Sequence, residues 1–174
     1  MPCGMVSQLP IWKADLQFGF LLLVASLAWR WGAGPERACA GAFLYMEGAD
    51  WVYHWLFGHS VRIAGFEPGH FLIDLTAGMI LHAVALRSNR LYPLCLASLQ
   101  LVAIISHLGE GLSGSIAHPI YAIMIALPSY LQLPILLAGV LLHRRRTRRS
   151  GKYPSWLDSS GRLLESEPSS SPKR

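Results

Sequence analysis

Between residues 14 and 143 the chain is a succession of long apolar runs, separated by short clusters of Gly, Pro, Ser and Asn. A helix needs about 20 apolar residues to cross the hydrocarbon core of a bilayer. The runs at 14–31, 36–57, 69–87, 91–112 and 118–142 come close to that length. Gly32-Ala-Gly-Pro35 breaks the first from the second, Pro68-Gly69 opens the third, and Ser88-Asn89-Arg90 is a tight turn before the fourth. Pro93 falls in the first turn of its run, where a missing N–H is cheap. Pro128 and Pro134 fall inside the fifth, where they are expected to kink the helix or loosen its backbone bonds. The reading is an all-α membrane protein, a bundle of five transmembrane helices. The third run is the shortest and most polar, and is the one that could be re-entrant.

Charge sets the orientation. Only 14% of the 174 residues are charged, against roughly 25% in soluble domains. Residues 1–143 hold six Lys/Arg and seven acids, whereas residues 144–174 hold nine Lys/Arg and three acids. Arg144, Arg145, Arg146, Arg148 and Arg149 directly follow the last apolar run, where cytoplasmic anchors belong. With the tail cytoplasmic, five spans put the N-terminus outside. Arg30, Arg37, Arg87 and Arg90 then also lie on the cytoplasmic side, and the outer segments keep only Lys13 and Arg62. Residues 1–13 form a short outer lead. The lead has no cationic region, and no Ala-x-Ala site follows the first run, so that run is expected to stay in the protein. Residues 144–174 form a basic and then disordered tail. The tail's position argues for topology and against nucleic acid. These features together suggest a small bacterial inner (plasma) membrane protein, alone, as a homo-oligomer, or beside a partner in a larger membrane complex.

Acids and histidines interrupt the apolar runs in a pattern. With this topology Glu47, Asp50, His54 and His59 lie in the outer half of the second span, and His70 and Asp74 in the outer half of the third. His107 and Glu110 lie near the outer end of the fourth, and His118 begins the fifth. At 100° per residue Glu47, Asp50 and His54 fall within about 60° of arc. Gln100 shares a face with His107 and Glu110, and Gln132 shares one with His118. Lipid cannot satisfy such groups, so these stripes are expected to face inward. The first span lacks a stripe and is expected to pack peripherally. Glu47, near mid-bilayer, is expected to be neutral or strongly hydrogen-bonded.

The candidate site is therefore Glu47, Asp50, His54, His70, Asp74, His107 and Glu110, with His59, His118, Gln100 and Gln132 as secondary members. Asp50/His54, His70/Asp74 and His107/Glu110 have the one-turn spacing with which helix bundles hold Zn, Fe or Mn. A transition metal is the first ligand to expect and a proton the second. Haem held by His54 or His59 with His70 or His107 is a less favoured form of the metal reading, since no Cys-x-x-Cys-His is present. Trp51, Tyr53, Trp55 and Phe57 read as an interfacial aromatic belt. Cys3, Cys39 and Cys95 have no metal or disulfide spacing. No Gly-x-Ser-x-Gly elbow or Cys–His pairing points to nucleophilic catalysis. The competing class is a non-catalytic structural or assembly subunit, in which the polar groups are interhelical hydrogen-bond glue.

Overall fold

A computed structural model describes residues 9–58, 67–113, 118–151 and 156, and within these the side chains of 9–14, 110–126 and 150 are left undescribed. Among the described residues the chain forms five helices: α1 Leu9–Trp31, α2 Gly34–Phe57, α3 Pro68–Arg87, α4 Tyr92–Ser113 and α5 His118–Ser150. No strand occurs among them, only an isolated antiparallel bridge between Ser88 and Trp156.

Local chemistry sets the ends. Pro35 and Pro68 each occupy a first helical turn, where their fixed φ suits the helix and no hydrogen bond is lost. Gly58 ends α2 at φ 70°, with its N–H on the His54 carbonyl at 2.9 Å. This left-handed stop suits glycine. α5 runs through Pro128 and Pro134 as one helix and continues eight residues past the apolar run, to Ser150. Arginine is a good helix former, and cations are favoured at a helix C-terminus, so the basic stretch extends the helix. Gly151, at φ 74°, then closes it through the Thr147 carbonyl.

Each helix from α2 to α5 packs on the next, and α5 also touches α2; α1 lies against α2 and α5. The first helix thus sits outside the α2–α5 group, in the groove between two of its members. It buries Leu21, Val24, Ala25 and Ala28, while Leu16, Leu23 and Trp29 face outward.

The core is built from small residues. Ala28, Cys39, Ala40 and Ala77 are fully buried, alongside Leu81, Leu96 and Leu136. Large apolar side chains point the other way: Trp51 and Trp55 are each 81% exposed, Leu86 is 78%, and Met79 is 59%. Soluble monomers rarely leave such surfaces uncovered. Small residues between helices and large ones outside are the pattern of packing in lipid.

Two helices are long and apolar enough to cross a membrane, Pro68–Arg87 and Tyr92–Gly109. The expectation of five spans is met by this measure for those two only. The described side chains of α1 cover only residues 15–31, α2 carries Glu36, Arg37, Glu47 and Asp50, and the described side chains of α5 run into the arginines. The third run is a continuous helix of 20 residues, about 30 Å long at 1.5 Å per residue.

Candidate metal centre

The last turns of α2 and the first turn of α3 are drawn together by one aromatic contact. Gly69 lies under the Tyr53 ring so closely that a Cβ there would overlap it. Tyr53 then stands edge-on to both histidines, with ring centroids 5.6 Å from His54 and 5.3 Å from His70. This seats His70, the residue after Gly69, opposite Asp50 and His54.

In that position His70 Nε2 is 3.0 Å from Asp50 Oδ1. His54 and His70 rings are 5.3 Å apart. One ligand atom from each of Asp50, His54 and His70 lies within 4.8 Å of the other two. Each imidazole has an oxygen behind it. His54 Nδ1 is 2.9 Å from the Asp50 carbonyl, so it donates there as Nδ1–H and leaves the Nε2 lone pair available. His70 Nδ1 lies 3.2 Å from Glu67 Oε2, a close contact not aligned as a hydrogen bond. Metal-binding histidines are commonly oriented by such carbonyl and carboxylate partners. The site is accessible: His54 and Asp50 side chains are 41% and 40% exposed, and His70 is 25%.

Other expected members lie elsewhere. Asp74 and His107 form a second, deeper unit, with His107 Nε2 2.9 Å from Asp74 Oδ2. Gln100 donates to Asp74 Oδ1 at 2.9 Å, and Gln132 donates to Gln100 Oε1 at 2.9 Å. The result is a continuous polar chain through α3, α4 and α5, with Gln100, His107 and Gln132 all buried. Glu47 joins neither unit. It borders a cavity of about 120 Å³ between α1, α2 and α5, together with Gln17, Ser129 and Gln132. The backbone at Glu110 and His118 is helical, but their side chains are undescribed, and His59 lies outside the described residues. Of the seven principal candidates, three therefore share a ligand-sized cluster, two share the internal chain, and Glu47 stands apart.

Sequence spacing did not reveal Glu67, although Glu67-x-x-His70 is a one-turn spacing. Nor did it reveal an ion pair at the opposite pole. Glu36 is fully buried, and Arg90 reaches it from across the bundle. The second Glu36 oxygen accepts the Ala33 N–H at 3.0 Å. Arg90 Nη2 meets His143 Nδ1 at 2.9 Å. A guanidinium only donates, so His143 accepts there as neutral imidazole. Burial, followed by the charge of Arg90, holds His143 below its ordinary value. Beside this pair Trp156 of the tail covers Gly34, where a Cβ would overlap the indole. At Trp156 the tail meets the bundle, at Gly34 and through the bridge to Ser88.

Compared with known proteins, the chain matches no family model, no curated protein and no solved structure.

Proposed function

We propose that this is a five-span integral membrane protein that binds one divalent transition metal ion, of the zinc class, at the outer mouth of α2 and α3. Asp50, His54 and His70 are the ligands, Glu67 orients His70, and the Asp50 carbonyl orients His54. The observation that carries this reading is the convergence of three ligand atoms within 4.8 Å from two different helices. Bonds of about 2.0–2.2 Å place neighbouring ligands of a tetrahedral ion about 3.3 Å apart. The 3.0 Å His70–Asp50 separation is close to that value. Imidazole with carboxylate suits zinc among the divalent ions. Three protein ligands leave a fourth position, which opens toward the exposed side of the cluster.

The membrane reading is supported by the outward-facing large apolar side chains and, among the described side chains, by a single basic pole. Arg30, Arg37, Arg87, Arg90 and the α5 arginines all belong to helix ends on the same side as Glu36–Arg90. The positive-inside rule assigns that pole to the cytoplasm, which leaves the metal cluster and the N-terminus outside. The structural reading fits the deeper chain better. Asp74, His107, Gln100 and Gln132 satisfy one another across three helices, as interhelical glue does.

Titration of the purified protein with Co²⁺ tests the ligand assignment. A tetrahedral His₂Asp site gives visible d–d bands that saturate at one equivalent and disappear in His70→Ala. Featureless spectra, or bands that survive His70→Ala, would refute it.

A further inference from the structure

At the pole opposite the metal cluster, the helical extension of α5 forms one wall of a cleft of about 660 Å³. The other wall is the α3–α4 turn and the start of α4, including Arg90, Leu91 and Tyr92. Gly139 permits this close approach, since a Cβ there would come within 2.9 Å of the Tyr92 ring. Arg145, Arg146 and Arg149 line the α5 side. Arg144 does not: its guanidinium lies 3.5 Å from the centre of the Trp31 ring.

Among the described lining residues, Arg145 and Arg149 face no acid. Arg90 is already committed to Glu36 and His143. No acid is among the described residues that line the cleft. Arg145 and Arg149 are one turn apart, a like-charge spacing that destabilises a helix until an anion bridges it. Burial depresses His143 most, and the charges of Arg90 and Arg146 add to that depression.

The cleft is also two-sided. Beside the arginines are Leu91, 80% exposed, and Leu142, 62% exposed. A free inorganic anion has no use for that apolar side. A phosphate carrying glycerol and acyl chains uses both, and guanidinium forks suit phosphate oxygens. Basic pockets between transmembrane helices on the cytoplasmic side are a recognised arrangement for anionic headgroups.

We propose that this cleft binds the phosphate headgroup of an anionic phospholipid, with Arg145 and Arg149 on the phosphate and Leu91 and Leu142 against its apolar part. The proposal rests on the membrane reading and is independent of the metal. The test uses the full-length protein in detergent, titrated with phosphatidylglycerol, with phosphatidylcholine or with inorganic phosphate, and bound lipid counted by native mass spectrometry. Arg145→Gln/Arg149→Gln is expected to weaken phosphatidylglycerol binding about 10–30-fold, in line with the contribution of arginines at anionic surfaces. Arg144→Gln/Arg148→Gln removes the same charge outside the cleft and is expected to change binding by less than about threefold. Equal losses in both double variants would overturn the proposal, as would phosphatidylcholine binding as tightly as phosphatidylglycerol. Displacement of the lipid by millimolar inorganic phosphate would overturn the lipid assignment in favour of a free-anion site. Membrane topology is read separately by reporter fusions, so failure of the membrane reading would be recognised as such.

Discussion

Glu36 is the side chain whose removal is expected to cost the fold most. It is fully buried, and both its oxygens are engaged, by Ala33 N–H and by Arg90. Taking away one partner of a buried pair leaves the other charge uncompensated, at about 3–5 kcal/mol. Glu36→Ala is expected to lower stability by that amount in denaturant unfolding in detergent. His143 adds a pH dependence. Its proton affinity is lower in the folded protein than in the unfolded chain, whose value is near 6.5. As the pH falls the unfolded chain takes the proton first. The contribution is thus complete above the ordinary imidazole value and is lost as the pH falls toward the depressed one. Groups facing His143 are Arg90, Glu36, Arg146 and Thr147. His143→Asn keeps an acceptor for Arg90 without the titration. Its thermal midpoint is expected to fall less than the wild type's between about pH 8 and pH 5. Glu67 stands 3.2 Å from His70 Nδ1. Glu67→Gln is expected to weaken metal affinity about 10–100-fold.

At the level of helices, Gly69 is the position that decides whether the metal cluster assembles. Gly69→Val drives a branched side chain into the Tyr53 ring and pushes α3 from α2. The expected result is loss of metal binding with helical content preserved in far-ultraviolet circular dichroism. The five helices themselves were legible in the sequence, because apolar length and Gly/Pro punctuation are local signals. The end of α5 was not. A run of arginines reads as the end of a span, yet its propensity continues the helix to Gly151, and this continuation builds the lipid cleft. The site was legible as a set of residues but not as a partition. Helical phase places Glu47, Asp50 and His54 on one arc, about 60° wide. That arc is wide enough for Glu47 to meet α1 and α5 while Asp50 meets α3. Glu36–Arg90 was illegible for a different reason: its partners are 54 residues apart and meet only through the packing of α2 on the α3–α4 turn.

The whole molecule is polarised from end to end. One pole gathers arginines around a buried ion pair and an anion-binding cleft. The other gathers Asp50, His54 and His70. Between them lies a bundle packed through alanines, with its large side chains outward. Small residues let helix backbones approach closely where lipid supplies no hydrophobic drive between them. Ala40→Leu is therefore expected to force α2 from its neighbours and destabilise by about 1–3 kcal/mol, whereas Met79→Leu on the outer surface is expected to be neutral. Unfolding midpoints in detergent check both. We assign the internal His107–Asp74–Gln100–Gln132 chain to the bundle and not to the metal, which makes His107 the control. The direct measurement is metal per chain, by elemental analysis of purified wild type, His54→Ala/His70→Ala and His107→Ala after dialysis against zinc. About one zinc ion is expected in the wild type and in His107→Ala and none in His54→Ala/His70→Ala, as three convergent ligands require. A wild type without zinc, or a double variant that retains it, would contradict the account.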